Sequence, residues 1–161
     1  MLKGFPPIIS KEPYVMILGS MPSVTSLEKS EYYGFAHNRF WKIMHKAFDM
    51  PIDTYEQKVS IILNHHIILW DVIGECEREG SLDSKIRNEK VNDIRTLAKN
   101  TPTLRKVICN GRKSYDLYQR YFSDLQIECC YLPSTSNANR SIKETELFDQ
   151  WLQELTTLKT A

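Results

Sequence analysis

The chain has 161 residues, 42% of them hydrophobic, which is enough to bury the core of one ordinary domain. A formal net charge of +1 excludes a strongly basic nucleic-acid-binding protein, so any binding to nucleic acid needs a local basic patch. No apolar stretch approaches the roughly 18 residues of a membrane span, and the first residues show no secretion signal.

The four cysteines indicate reduced thiols rather than a metal site. Cys76, Cys109, Cys129 and Cys130 form no Cys-x-x-Cys pair, and two of them stand in apolar, strand-like runs. We therefore expect buried free thiols in a cytoplasmic protein. The spacing is not that of a zinc or iron–sulfur site, so no metal is expected.

The first half of the chain alternates strand-like and helix-like segments. Three prolines among residues 1–13 predict an irregular N-terminal arm. A strand is predicted over 14–18, ending at Gly19, and helices over 40–48 and 54–64 from their apolar spacing. The run over 67–72, broken only by Asp71, predicts a buried strand.

The second half continues the alternation. Residues 80–88 predict a polar loop; helices are predicted over 91–99, 113–122 and 143–158, and strands over 106–109 and 127–132. Without repeats or linkers, this order predicts one domain over 1–161, an α/β fold with a mostly parallel four-stranded sheet covered on both faces. Ligands bind beyond the carboxyl ends of such strands, so we expect the site there.

The segment Gly19-Ser20-Met21-Pro22-Ser23 follows the first strand. Glycine lets the backbone approach a ligand, and free N–H groups there could hold an anion or a base carbonyl. It lacks the Gly-Lys-Ser/Thr of a phosphate-binding P-loop and is not the Gly-x-Ser-x-Gly elbow of serine hydrolases. A plain strand-to-loop turn is the alternative interpretation.

Asn38 lies just before the helix predicted over 40–48, which begins with the aromatic pair Phe40-Trp41. Its amide could be only a helix N-cap, or it could orient a water and brace a base or sugar, because it holds both a donor and an acceptor. The aromatic rings just before it, Tyr32, Tyr33 and Phe35, offer flat faces for stacking.

A basic flank surrounds Asn38, formed by His37, Arg39, Lys42, His45 and Lys46. These side chains could supply the local patch that the net charge hides, with contacts to DNA phosphates. The alternative is one solvated helix face.

Polar residues also follow the later strands. Asp71 ends an apolar run, so its carboxylate is either exposed or hydrogen-bonded, and a loop cap is the alternative to a functional role. Asn110 is expected to serve the turn with Gly111. The run Leu132-Pro133-Ser134-Thr135-Ser136-Asn137 carries three consecutive hydroxyls suited to phosphate contacts, or to a simple turn.

Together these segments resemble the uracil-DNA glycosylase superfamily, most closely its hypoxanthine-DNA (deoxyinosine) glycosylase branch. The resemblance spans about residues 14–141 and is carried, in order, by Gly19-Ser20-Met21-Pro22-Ser23, Tyr32-Tyr33-Gly34, Asn38-Arg39-Phe40-Trp41, Leu69-Trp70-Asp71-Val72, Gly80-Ser81-Leu82-Asp83, Asn110-Gly111 and Leu132-Pro133-Ser134-Thr135-Ser136.

The resemblance implies a three-layer α/β/α sandwich and hydrolysis of an N-glycosidic bond in DNA. It implies that Asn38 is the catalytic amide, that Tyr33 stacks on the base, and that Gly19, Ser20, Met21 and Asp71 bind it. As a carboxylate, Asp71 would accept from N1–H of hypoxanthine and repel adenine. Arg39, Ser134, Thr135, Ser136 and Asn137 would contact DNA.

Several positions depart from the family pattern. Ser20 or Met21 stands where several members carry a water-positioning Asp or Asn, and Leu132 stands where many relatives have His. Ser136 lies near the position at which some relatives carry a leucine that they insert into the DNA duplex. The segment Phe35-Ala36-His37 replaces His-Pro-Arg, and Asn137 replaces a Pro. These departures bear on base preference and rate more than on the fold.

The sequence thus predicts a monofunctional glycosylase that flips a deaminated base out of DNA, most closely fitting hypoxanthine, with no cofactor. We expect a monomer whose partner is double- or single-stranded DNA, and no membrane partner. Two alternatives stay open: an enzyme of the same superfamily that prefers uracil or xanthine, and a non-catalytic nucleic-acid-binding module.

Overall fold

The computed structural model describes residues 1–160; Ala161 of the predicted domain lies outside them. The strands are β1 Leu2–Lys3, β2 Ile8–Ile9, β3 Val15–Gly19, β4 Ile67–Asp71, β5 Ile73–Glu77, β6 Arg87–Val91, β7 Lys106–Asn110 and β8 Glu128–Leu132. The helices are α1 Val24–Lys29, α2 Phe40–Phe48, α3 Tyr55–Asn64, α4 Ile94–Lys99, α5 Arg112–Phe122 and α6 Glu144–Thr156, with 3₁₀ turns at Asp83–Lys85 and Thr157–Thr160.

The central sheet has five strands in the order β2-β4-β3-β7-β8. The four predicted strands β4, β3, β7 and β8 run parallel to one another, so the prediction of a mostly parallel sheet is confirmed. The additional edge strand, β2, pairs antiparallel with β4 and lies in the arm predicted to be irregular. A strand of two residues has no periodicity that could reveal it.

Helices cover both faces of this sheet, as an α/β/α sandwich requires. Residues of β3 alternate between the faces: Val15 and Ile17 pack into a core with α2, α3 and α6, whereas Met16 and Leu18 pack into a second core with α4 and α5. The three-layer prediction is therefore confirmed. None of the described helices is long and apolar enough to cross a membrane.

A second, antiparallel sheet of three strands, β1-β5-β6, was not predicted. It includes β6, whose polar sequence Arg87-Asn88-Glu89-Lys90 gave no strand pattern. The prediction of a loop over 80–88 and of a helix from residue 91 is wrong at this point. Helix α4 begins at Ile94, because the side chain of Asp93 accepts from the backbone N–H of Thr96 at 3.0 Å.

Helix α1 was also missed, since its six residues are too few for a clear apolar spacing. Its start is capped by Ser23, whose hydroxyl accepts from the Ser26 backbone N–H at 3.1 Å. It ends at Lys29, and the next residue, Ser30, adopts a left-handed conformation. The other predicted elements lie where the structure has them, with ends that differ only slightly.

Candidate active site

A cleft of about 610 Å³ opens beyond the carboxyl ends of the parallel strands. The end residues of neighbouring strands are paired: Gly19 lies beside Asp71, and Asn110 beside Leu132. The loops that follow these strands therefore meet at one edge of the sheet. The predicted site residues that line the cleft are Gly19, Ser20, Met21, Tyr33, Asn38, Asp71, Ser134, Thr135, Ser136 and Asn137.

Gly19 is needed here because of a close approach. A Cβ atom at this position would collide with Oδ1 of Asp71 and would lie 2.9 Å from the hydroxyl of Tyr33. Such distances are below van der Waals contact, so a side chain at residue 19 would displace both groups. The glycine thus lets β3 bring the Asp71 carboxyl group and the Tyr33 hydroxyl together.

Asp71 is buried at the end of β4, with 4% of its surface exposed. Within the described chain, its Oδ2 atom is buried and has no hydrogen-bond partner. Burial, reinforced by the negative charge of Asp83 and opposed by Arg78, raises the pKa of Asp71 to about 7. The carboxylate expected from the sequence is therefore accompanied by the neutral acid near pH 7.

Asp83 also lines the cleft and was not predicted as a site residue. Its Oδ1 accepts a hydrogen bond from the Ser20 hydroxyl at 2.7 Å, and it lines the cleft with Ser81. The signal was its place in Gly80-Ser81-Leu82-Asp83, one of the segments of the family resemblance. Nothing in that segment alone shows that it folds back onto Ser20.

The amide of Asn38 is held by two donors. Its Oδ1 accepts from the backbone N–H of Phe40 at 2.9 Å and from the hydroxyl of Thr135 at 2.9 Å. The capping position of α2 is taken by Arg39, so Asn38 is not the N-cap in the usual sense, although its oxygen does bind the first helical N–H. Thr135, predicted only as a DNA contact, is 1% exposed and also serves Asn38.

Asn110 has a larger role than the turn predicted for it. Its Nδ2 donates to the Tyr33 hydroxyl at 3.1 Å and to Oγ1 of Thr135 at 3.1 Å, while its Oδ1 accepts from the Thr135 backbone N–H at 3.0 Å. Asn110 therefore links the end of β7 to two other segments of the site. These partners are distant in sequence, so no local pattern could identify them.

Tyr33 lines the cleft, as Asn38 does. Its ring stacks on Phe40, with centroids 4.1 Å apart and an angle of 23° between the planes. Burial raises the pKa of its hydroxyl, and the Asp71 charge adds to the rise, so the phenol stays neutral. Its role as the base-stacking ring stays a prediction. Tyr32, also predicted for stacking, is buried and donates to the Pro6 carbonyl at 2.8 Å.

Arg39 is the predicted site residue that does not line the cleft. Its guanidinium donates to three carbonyl groups of the loop after β8, those of Thr135 at 3.2 Å, Ser136 at 2.6 Å and Asn139 at 3.4 Å. This placement makes Arg39 a clamp between α2 and that loop. A direct contact between Arg39 and DNA stays a prediction.

An exposed aromatic–cationic cluster stands on the rim of the cleft. The guanidinium carbon of Arg112 lies 4.2 Å from the ring centre of Tyr131 and 5.6 Å from that of Tyr115, distances typical of cation–π contacts. Arg112 and Tyr131 both line the cleft, and Tyr131 is 37% exposed. The pairing joins α5 to β8, which are separate segments of the chain, so no local sequence pattern could reveal it.

Comparisons with known proteins agree with this geometry. The model of the family described as "Uracil DNA glycosylase superfamily" matches residues 6–156. The chain is 39% identical over 140 residues to the hypoxanthine DNA glycosylase of Methanosarcina acetivorans, covering 86% of this chain and 88% of that protein. It is 35% identical over 140 residues to the hypoxanthine DNA glycosylase of Methanosarcina barkeri, with the same coverage.

A solved structure shows the same fold. The solution NMR structure of a candidate uracil DNA glycosylase from Methanosarcina acetivorans superposes with a TM-score of 0.86 and 35% sequence identity, and the match covers 98% of each chain. The family match spans most of the chain, and the relatives agree over nearly their whole length. The protein therefore belongs to the uracil DNA glycosylase superfamily.

Proposed function

We propose that the protein is a DNA glycosylase that removes hypoxanthine, the deaminated form of adenine, from DNA. The observation that carries the proposal is that Asn38 and Asp71 line one cleft, and that the buried Oδ2 of Asp71 has no hydrogen-bond partner within the described part of the chain. Two relatives named hypoxanthine DNA glycosylase support the choice of base. The substrate is DNA, either double- or single-stranded, that carries the deaminated base.

Asp71 is proposed to recognise the base. Hypoxanthine presents an N1–H donor beside an O6 acceptor, and enzymes that flip a base identify it by such edges. The ionised carboxylate accepts from N1–H, whereas the neutral acid accepts from N1–H and donates to O6. The unpartnered Oδ2 atom then gains a partner from the base, which offsets the cost of burying it.

Asn38 is proposed to serve the chemical step, the attack of water on C1′ as the bond to the base breaks. The sugar gains positive charge and the departing base gains negative charge. A fixed dipole in a water-poor site stabilises such a charge distribution, and positioning supplies much of the remainder. Among the described residues that line the cleft there is no lysine, and we propose a monofunctional enzyme that leaves the strand intact.

The DNA strand is proposed to lie along the rim. Hydroxyl and amide groups of Ser134, Ser136 and Asn137 line the cleft and suit phosphate contacts. The exposed Arg112–Tyr131 pair offers a cation and a stacking surface next to them. With these groups, the cleft can contact DNA although the chain as a whole has no large excess of basic charge.

An enzyme that prefers uracil or xanthine is a second candidate. Uracil also presents an N3–H donor beside a carbonyl acceptor, so Asp71 could pair with it in the same way. The Asp71 carboxyl group therefore does not distinguish between these bases. A panel of substrates is therefore the experiment that tests the proposal.

In that experiment, the purified protein is incubated with duplex and single-stranded DNA carrying one hypoxanthine, uracil or xanthine, and abasic sites are then cleaved with alkali. We expect product from hypoxanthine at the highest rate. The Asn38→Ala variant should lose roughly 100- to 1000-fold in the single-turnover rate, with a loss of about 1 kcal/mol in stability.

A matched control is Asn64→Ala, since Asn64 is an exposed asparagine at the end of α3, where its side-chain amide donates to Ser60. This variant should excise at the wild-type rate. Higher turnover of uracil or xanthine would favour the second candidate. Binding of DNA without product from any substrate would indicate a non-catalytic binding module instead.

A further inference from the structure

The orientation of the Asn38 amide follows from a group that can only donate. The oxygen and nitrogen of an amide have similar shapes, so their assignment must come from the partners. The backbone N–H of Phe40 lies 2.9 Å from one of these atoms. An N–H group cannot accept, so this atom of Asn38 is the oxygen, Oδ1.

The same argument fixes the orientation of the Asn110 side-chain amide. The backbone N–H of Thr135 lies 3.0 Å from its side chain, so the atom that receives this hydrogen bond is Oδ1. The other end of the amide is then the NH₂ group. It donates to the hydroxyls of Tyr33 and Thr135, each at 3.1 Å.

The Thr135 hydroxyl connects the two amides and has one proton to give. Since its oxygen accepts from Asn110, its proton is free to point to Oδ1 of Asn38, at 2.9 Å. Both lone pairs of that Asn38 oxygen are then engaged, one by Thr135 and one by Phe40. The part of the amide left for a ligand in the cleft is its NH₂ group.

We propose that Asn38 acts on the substrate as a hydrogen-bond donor, and that Thr135 and Asn110 are positioning residues that hold it in this orientation. This inference rests on the proposed function and makes it more specific. A water molecule oriented for attack would need an acceptor, to draw its protons away from C1′. The engaged oxygen of Asn38 is not available for that purpose.

The partner that fits a donor is the departing base. As the bond between C1′ and the base nitrogen breaks, its electron pair goes to the base, whose ring nitrogens become negatively charged. A neutral N–H donor stabilises this charge more than it stabilises the uncharged substrate. Water then adds to C1′ and loses a proton to solvent, while the free base takes up a proton.

The Asn38→Asp variant tests this inference, because it keeps the acceptor and removes the donor. A carboxylate at this position can still receive hydrogen bonds from Phe40 and Thr135. We expect single-turnover excision of hypoxanthine at pH 8 to fall about as far as in Asn38→Ala. Lowering the pH should partly restore the rate, since the protonated acid again has a proton to donate.

Asn38→Asp activity within threefold of wild type at pH 8 would overturn the inference, because an acceptor would then be sufficient. The positioning role is tested by Thr135→Val, which removes the hydroxyl at nearly constant shape, against Thr135→Ser, which keeps it. We expect a loss of about 30-fold for Thr135→Val and recovery to within a few-fold for Thr135→Ser. Equal rates for the two variants would remove Thr135 from this role.

A measurement independent of activity separates this inference from the proposed function. In ¹⁵N-labelled protein, the Phe40 backbone amide proton should show only a weak nuclear Overhauser effect to the side-chain NH₂ protons of Asn38. A strong effect would mean that the amide is turned the other way, and the inference would fail. Excision of no base by the wild type, with the weak effect present, would refute the proposed function alone.

Discussion

The polar groups on the two sides of the cleft differ in how completely they are hydrogen-bonded. On the side formed by Asn38, Thr135 and Asn110, which we call the amide side, the side chains bind one another in a continuous chain. On the side formed by Ser20, Asp71 and Asp83, which we call the acidic side, the buried Oδ2 of Asp71 has no hydrogen-bond partner among residues that the structure describes. Asp71 ends β4 and Asn110 ends β7, and β3 lies between these two strands in the central sheet.

This difference follows what each side is proposed to do. Groups that act in a transition state are most effective when they are already oriented, and a satisfied network provides that orientation. A group that recognises a ligand must instead keep a polar atom unpaired until the ligand binds. An unpaired buried polar atom costs stability in the free protein, so the acidic side should be the less stable of the two.

The largest effect is expected from Asp71→Asn, measured as a change in unfolding free energy with pH. The folded pKa of Asp71, about 7, lies above its ordinary value of 3.8. Between these values the folded protein binds more protons than the unfolded chain, so stability falls as the pH rises through this window. The shift corresponds to up to about 4 kcal/mol.

Denaturant unfolding of wild type and Asp71→Asn from pH 4 to pH 8 checks this prediction. The unfolding free energy of the variant should rise relative to that of the wild type as the pH rises towards 7, and the difference should level off above pH 7. Glu144→Gln, which changes an acidic residue of α6 outside the cleft, serves as control. A difference that does not vary with pH would show that burial of the Asp71 carboxyl group is not costly.

The second prediction concerns the amide side. Asn110→Ala removes the acceptor for the buried Thr135 N–H and the donor to Tyr33, and an unsatisfied buried group of this kind costs about 1–3 kcal/mol. We expect that loss in the unfolding free energy. Ser134→Ala, in the same region but partly exposed, should lose less; equal losses would contradict a special role of the Asn110 contacts.

The third prediction uses adenine as a probe of Asp71. Adenine presents an N1 acceptor beside an amino donor, so it can pair with the neutral acid but not with the carboxylate. Inhibition of excision by free adenine should weaken about fivefold as the pH rises from 7 to 8, since Asp71 loses its proton with a pKa of about 7. Asp83 and Arg78 are the charged groups that act on this ionisation.

Inhibition by free hypoxanthine should change much less over the same range, because N1–H can donate to either form of Asp71. In Asp71→Asn both inhibition profiles should be flat. An adenine profile that keeps its slope in this variant would assign the pH dependence to another group.

The smallest effect is expected at the rim, which belongs to neither side. Arg112→Ala should weaken DNA binding a few-fold and reduce the slope of log K against log salt by about 1, as the loss of one phosphate contact does. Fluorescence anisotropy across a salt series measures both quantities. Arg95→Ala is a matched control, since Arg95 is paired with Asp124 outside the cleft.

The parallel strands and the helices that cover them could be predicted because their apolar residues follow clear periodicities. The second sheet could not, since β6 is polar and β1 has only two residues. Such strands exist because of pairing with β5, which is a tertiary effect. The same limit explains why the edge strand β2 was placed in an irregular arm.

For the site, the sequence placed Asn38, Asp71 and the hydroxyl run at the sheet edge, because polar residues that follow apolar strands stand out. It could not show that Asn110 reaches Thr135, or that Asp83 folds back to Ser20. Those contacts join segments that are far apart in the chain. It also could not reveal the pKa of Asp71, which is set by burial after folding.

Arg39 connects two segments of the cleft, so that a restraint on one of them also acts on the other. By binding three carbonyls of the loop after β8, Arg39 ties that loop to the start of α2, next to Asn38. The DNA backbone that we propose to bind this loop would therefore also restrain the helix end that carries the amide. We expect slower hydrogen–deuterium exchange at both segments together, even with undamaged DNA, a result that would couple the search for a lesion to the readiness to excise it.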